Sequence, residues 1–165
     1  MDPVTVSVLI AKPREEVFDY LADVANHPEF LDHFIENFRL LREDSYGRGA
    51  GARFKVKKRF NRFGWGDFTF IEVDPPRRIV AVGRAGKYNR VKTYFEWTLE
   101  PSGGSTKVQL TAESEPAQPS DRLFDPLGGA GFFRRKANRG LRRLQTILED
   151  GSGRGARATV AGSSR

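Results

Sequence analysis

One long apolar stripe near the C-terminus constrains this chain more than any other feature. Phe133, Ala137, Leu141, Leu144 and Leu148 recur at helical spacing, giving one apolar face over about four turns. Arg134, Arg135, Lys136, Arg139, Arg142 and Arg143 lie in part on the opposite face. A helix of this kind must bury its stripe, and the only broad apolar surface upstream is a sheet. Val4–Ile10 is β-branched and alternates for most of its length. Residues 34–43, 52–60, 65–74, 77–84, 88–100 and 106–115 read as six further strands, set apart by glycine- and proline-bearing turns. In 52–60, Phe54, Val56 and Phe60 share one face, while Lys55, Lys57 and Arg59 share the other. In 88–100, Val91, Thr93, Phe95, Trp97 and Leu99 fall together. Residues 65–74 are apolar on both faces, so Phe68 and Phe70 are assigned inward without support from periodicity.

Between the first two strands, Pro13 and the acids Glu15 and Glu16 open a helix over 13–24. Asn26 is placed as the cap of a second, short helix through Pro28–Leu31. Ser120 is read as capping a helix that begins at Asp121 and is interrupted at Gly128, Gly129 and Gly131. Strands linked mostly by hairpins imply antiparallel pairing. The expected fold is therefore α+β: a curved seven-stranded antiparallel sheet wrapped around a long C-terminal helix, with two short helices after the first strand. This domain covers residues 1–150. Residues 151–165 are Gly, Ser, Ala and Arg with no core-forming pattern, and are expected to be a disordered tail.

At 165 residues the chain has the size of one domain. It has no cysteine, which excludes disulfides, thiolate nucleophiles and iron–sulfur ligation, and fits a cytoplasmic location. With only two histidines, no metal and no cofactor are expected. No apolar run approaches the ~20 residues of a membrane-spanning helix, and the first residues lack the basic start of a signal peptide. Net charge is +7, but Arg154, Arg157 and Arg165 in the tail leave 25 basic and 21 acidic residues, or +4, in residues 1–150.

The order of elements resembles the helix-grip fold of the START-like, Bet v 1-like (SRPBCC) superfamily. Within it, the chain is similar to the bacterial polyketide cyclase/dehydrase-type branch. The stretches that carry the resemblance are Pro13 followed by Glu15-Glu16-Val17-Phe18-Asp19-Tyr20-Leu21-Ala22-Asp23; Asn26-His27-Pro28-Glu29-Phe30-Leu31; Gly49-Ala50-Gly51 before Phe54; Ile71-Glu72-Val73-Asp74-Pro75-Pro76; and Phe95-Glu96-Trp97-Thr98-Leu99 before Gly104-Ser105-Thr106. Where the family usually has tryptophan, near position 30, this chain has Phe30. The resemblance spans about residues 4–149 and implies an apolar pocket between sheet and helix for a lipid, sterol, polyketide or quinone-like molecule.

The candidate pocket wall is Phe54, Val56, Phe68, Phe70, Thr93, Phe95, Leu110, Phe133, Ala137 and Leu141, although plain core packing explains the same periodicity. Gly128, Gly129 and Gly131, flanked by Phe124, Leu127, Phe132 and Phe133, form a candidate hinge at the pocket mouth; a simple chain break is the alternative. No hydrolase, zinc-protease or phosphate-binding motif is present. Thr93, Tyr20 and Tyr46 are the only pocket-side polar candidates, and no catalytic residue is assigned. His27 is expected in the cap of the short helix and His33, beside Asp32, on a solvated edge. Arg53, Lys55, Lys57, Lys58, Arg59 and Arg62 read first as a solvated face and second as a weak contact with an anionic membrane; nucleic acid is not expected. The expected function is binding or transport of a small apolar ligand. A polyketide cyclase or dehydratase, or an interaction module with a vestigial pocket, are the alternatives.

Overall fold

The computed structural model describes residues 1–60, 62–123 and 125–163. Seven strands form one antiparallel sheet: β1 (Val4–Ile10), β2 (Ile35–Leu40), β3 (Gly51–Val56), β4 (Trp65–Asp74), β5 (Arg78–Ala85), β6 (Val91–Ser102) and β7 (Ser105–Glu115). Their spatial order is β1-β7-β6-β5-β4-β3-β2, so the first two strands in sequence are the two edges. The sheet curls into a half-barrel. Between its edges the chain makes α1 (Arg14–Ala22), a 3-10 turn (Val24–Asn26) and α2 (His27–Leu31). After the sheet come α3 (Pro119–Leu123) and α4 (Ala130–Asp150).

The α4 stripe is buried as its spacing predicts. Phe133, Ala137, Leu141, Leu144 and Leu148 are inside, joined by Gly140 and Ile147. Burying each large apolar side chain contributes roughly 2 kcal/mol before entropy is counted. The helix ends at Gly151, whose left-handed backbone (φ 70°) lets its N–H donate to the Ile147 carbonyl. Gly140 lets α4 cross close to α2: a Cβ there would stand 2.9 Å from Leu31.

Two irregularities explain what periodicity leaves open. In β4, Phe68 and Phe70 point inward, and the register with β5 shifts between Phe70 and Glu72. That bulge turns Ile71 outward and lets Val73 reach the core. In β2 the shift lies between Glu36 and Arg39, where Asn37 takes a left-handed backbone (φ 52°). Both bulges bend the sheet around α4.

Three local expectations need correction. Strand β3 stops at Val56, so Phe60 does not share an inner face with Phe54 and Val56; it is 86% exposed, in a loop. Asn26 does not cap α2; its amide donates to the Tyr20 carbonyl at 3.0 Å, while Asp23 accepts from Ala25 N–H and Ser45 Oγ. Ser120 lies inside α3, and the Asp121 carboxylate accepts the Gln118 N–H and pairs with Arg90.

The segment after α4, expected to be disordered, folds back onto the α1–α2 corner. Residues Ala158–Thr159 and Gly162–Ser163 form a short hairpin, β8 and β9, beside β2. Ala158 is buried, Gly155 N–H donates to the Glu29 carbonyl, and Arg157 pairs with Asp23 at 2.5 Å. Composition did not reveal this because the contacts come from isolated arginines and backbone groups rather than an apolar pattern.

The tightest backbone approach in the sheet lies where β5 passes β4. A Cβ on Gly83 would stand 1.8 Å from the Asp67 carbonyl oxygen, a backbone atom that cannot rotate away. Gly83→Ala is expected to destabilise the domain by roughly 3 kcal/mol, read as a lower urea midpoint. An unchanged midpoint would contradict this packing.

Candidate functional site

Under the first turns of α4 the half-barrel is incompletely filled. A cavity there is bordered from the sheet by Phe54, Phe68, Phe70, Ala81, Phe95, Trp97 and Leu110. The α2–β2 corner contributes His27, Leu31, Phe34, Ile35 and Phe38; Leu127, Phe133 and Ala137 close it. The space open to water centres is about 60 Å³. At about 10–15 Å³ for each water centre, that is room for roughly five waters, the space of one aromatic ring.

Local sequence explains why the space sits there. The second half of α4 carries Leu141, Leu144, Ile147 and Leu148, which fill the interior. The first half offers only Phe133 and Ala137 on the same stripe. The aromatic rings facing them support one another with centroids 5.8–6.3 Å apart: Phe68 with Phe70 and Phe95, Phe38 with Phe68, and Phe54 with Phe68.

Of the ten residues expected along the wall, Phe54, Phe68, Phe70, Phe95, Leu110, Phe133 and Ala137 border the cavity. Val56 and Leu141 are buried but pack as core. Thr93 is also buried away from the cavity, its hydroxyl without a hydrogen-bond partner among the described residues. Of the other polar candidates, Tyr20 donates to Glu29 at 2.7 Å, and burial followed by that carboxylate raises its pKa. Tyr46 is half exposed and donates to Asp19. Neither borders the cavity. Gly128 and Gly129 have left-handed backbones (φ 88° and 84°) between Leu127 and α4, whereas Gly131 lies in the first turn of α4 and is not part of the break. Phe124 lies outside the described residues.

The sequence reading missed His27. Its imidazole is 3% exposed and packs against Phe30, Phe68, Phe70 and Trp97, with centroids 5.5–6.1 Å away. Nε2 lies 2.9 Å from the Leu21 carbonyl oxygen. A carbonyl only accepts, so Nε2 carries the proton. Burial pushes the His27 pKa down to about 4, against the smaller opposing effects of the Leu21 carbonyl and Asp23. Among the described residues it is the only ionisable side chain in the lining. His33 is not on a solvated edge: it is half-buried, and Nε2 donates to the Lys136 carbonyl at 3.0 Å, tying α2 to α4. Burial is also the main reason its pKa is lowered.

Residues 1–149 match the family described as polyketide cyclase/dehydrase and lipid transport. The chain belongs to that family. Among curated proteins nothing matches by sequence. Among solved structures, the KanY protein in solution resembles this member of the cyclase/dehydrase and lipid-transport family with a TM-score of 0.72 and 20% identity, over 89% of this chain and 97% of that one. TTHA0849 from Thermus thermophilus gives 0.68 and 17%, over 91% and 99%. Truncated norcoclaurine synthase from Thalictrum flavum gives 0.65 and 15%, over 90% and 94%. At these identities the likeness establishes the Bet v 1-like, helix-grip architecture. No helix among the described residues is long and apolar enough to cross a membrane.

The buried histidine makes folding of this family member pH-dependent. The folded state holds His27 neutral down to about pH 4, whereas the unfolded chain protonates it near 6.5. Below pH 6.5 the unfolded state therefore binds more protons, and stability falls as pH drops toward 4. The full effect is roughly 3 kcal/mol. His27→Gln keeps a donor for the Leu21 carbonyl and removes the titration. Its urea midpoint is expected to fall less between pH 6.5 and 5 than that of the wild type. Parallel curves would show that His27 is not held neutral.

Proposed function

We propose that this chain binds one small, uncharged, apolar molecule in the cavity between the sheet and the first turns of α4. The observation that carries this reading is the lining itself: it is aromatic and aliphatic apart from His27, and it is incompletely filled. Ligand sites are typically apolar hollows with a few placed polar groups. Family membership supports the same class.

A ligand of one ring fits the present space. A larger one requires the Leu127–Phe133 segment to move. Leu127 borders the cavity directly, and Gly128 and Gly129 supply the backbone freedom beside it. The chain before this hinge is held at fixed points. Asp121 pairs with Arg90 at 2.6 Å, and Asp125 pairs with the N-terminal amine at 3.4 Å. Bending is therefore concentrated at Gly128–Gly129. The Lys58 ammonium donates to the Gly128 carbonyl and stands over the Phe132 ring, bridging the β3–β4 loop to the hinge.

The loops around this hinge also suit an anionic lipid surface as the place of loading. Phe60, Tyr88 and Leu123 are each more than 80% exposed. Lys58, Arg59, Arg62, Lys87 and Arg122 lie in or beside the same segments. Lys87 stands over the Phe63 and Tyr88 rings, and Phe63, Lys87, Arg90, Ser120 and Asp121 line one shallow hollow, which brings the three segments together. Apolar tips among cations favour an anionic interface, each cation near it adding ~1 kcal/mol.

Native mass spectrometry of the protein from its own host, followed by organic extraction, tests the cavity. A single apolar molecule at 1:1 is expected from wild type. Ala137→Phe, which places a ring in the space, is expected to fold and to lack it. An extracted product that is cyclised or dehydrated would move the cyclase reading ahead. Apo protein with no stabilisation by any apolar compound would overturn binding. On vesicles, phosphatidylserine with phosphatidylcholine is expected to retain the protein and phosphatidylcholine alone is not. Salt, or Phe60→Ala with Tyr88→Ala, is expected to release it. Equal retention on both vesicles would remove the lipid surface from this account.

A further inference from the structure

Among the described residues, the side-chain polarity of the cavity wall is confined to two residues on facing elements. His27 from α2 and Trp97 from β6 both border the space, and both are more than nine-tenths buried. The proton on Nε2 of His27 is committed to the Leu21 carbonyl, which leaves Nδ1 as a bare lone pair. Nδ1 makes no hydrogen bond to any described residue, and neither does the Nε1–H of Trp97. Neither atom is among the fully sealed, unsatisfied polar atoms of the described residues, so each keeps some accessible surface, and both side chains border the cavity. The two rings meet edge-on with centroids 6.1 Å apart. The wall thus offers one acceptor and one donor, unpaired, in surroundings where an unmade hydrogen bond is costly.

We propose that His27 and Trp97 form a recognition pair for the hydroxyl group of a small aromatic alcohol, a phenol. Trp97 Nε1–H donates to the hydroxyl oxygen, and the hydroxyl donates to His27 Nδ1. A hydroxyl both accepts and donates through one atom, and an oxygen about 2.9 Å from each nitrogen spans rings at this separation. An ether or ketone satisfies Trp97 alone. A carboxylate brings a charge that the lining does not pair, since no Lys or Arg among the described residues borders the cavity and His27 is neutral. The ring is specified by space and shape: there is room for about one, between the rings of Phe68, Phe70, Phe95 and Phe133. This inference rests on the cavity being a ligand site and adds which chemical group it selects.

Titration of the full chain with phenol, anisole, toluene and benzoate, followed by proton–nitrogen NMR, separates the two ideas. The chain has two tryptophans, so two indole N–H signals are expected, and Trp97→Phe assigns them. Toluene is the more apolar probe, and a cavity that sorts by hydrophobicity alone prefers it. The pair instead predicts phenol about tenfold tighter than toluene, anisole between them, and benzoate unbound. Phenol moves the Trp97 indole signal and toluene does not. Trp97→Phe keeps toluene binding and reduces the phenol advantage to about threefold. The pair is overturned if phenol binds no tighter than toluene, if the Trp97 indole signal does not respond to phenol, or if benzoate binds as well as phenol. It is also overturned if the phenol advantage is undiminished by Trp97→Phe. Those wild-type readings stand even where the variant fails to fold. Toluene binding without phenol preference overturns the pair but leaves the cavity reading; no binding of either overturns both.

Discussion

Everything that gives this domain an interior space depends on how α4 is held. Its second half is fixed from two sides. On the β1 side, Gln145 donates to the Leu9 carbonyl and Glu149 accepts the Ala11 N–H. On the α2 side, Arg143 pairs with Asp32, and Gly140 lets the two helices close up against Leu31. Between these supports Leu141, Leu144 and Ile147 are fully buried. The first turns are anchored mainly through the His33–Lys136 contact and the Phe34–Phe132 and Phe34–Phe133 ring pairs. A rigid helix clamped along one half and faced by Phe133 and Ala137 along the other cannot sink into the sheet there. The cavity is the geometric remainder.

The curl of the sheet does the complementary part. Bulges at Ile71 and around Asn37 turn the strands so that Phe38, Phe68 and Phe70 converge on the same region from different strands. Flat rings set at angles to one another leave gaps that aliphatic side chains would fill more evenly. The abundance of phenylalanine and near-absence of methionine thus has a structural consequence. The interior is built of stiff plates rather than adaptable chains, so its vacancies keep their shape.

Much of this is legible before any coordinates. Two-residue alternation locates the strands, and the recurrence every three or four residues from Phe133 to Leu148 locates the helix that covers them, because both periods are set by backbone geometry. The limits are equally physical. Alternation cannot place a bulge, so β4, apolar on both faces, gives no inward assignment until the shift at Ile71 is seen. It also overruns strand ends: Phe60 continues the pattern of Phe54 and Val56 but lies beyond the last ladder bond. Thr93 shares a face with Trp97, yet only the latter lies deep enough along β6 to border the cavity. His27 was hidden because its environment is made by residues far away in sequence, Phe68, Phe70 and Trp97, which no local pattern connects to it. The tail was hidden for the same reason, its partners Asp23, Asn26 and Glu29 being more than a hundred residues upstream.

Those long-range ion pairs also change the meaning of the net charge. Arg154 and Arg157 contribute to the basic balance on paper, but in the fold they face Glu29 and Asp23. Arg143, one of the basic residues of α4, likewise faces Asp32. Their fields are locally cancelled at the α1–α2 corner. Lys58, Arg59 and Lys87, by contrast, stand over the Phe132, Phe60 and Tyr88 rings, and Lys58 also holds the Gly128 carbonyl at the hinge. Part of the basic balance that meets no carboxylate thus lies at the end where the cavity is walled by Leu127 and Phe133. The field of clustered cations acts over about a Debye length, well beyond the reach of direct ring contacts, and this long reach is the physical basis of the loading at an anionic lipid surface proposed above.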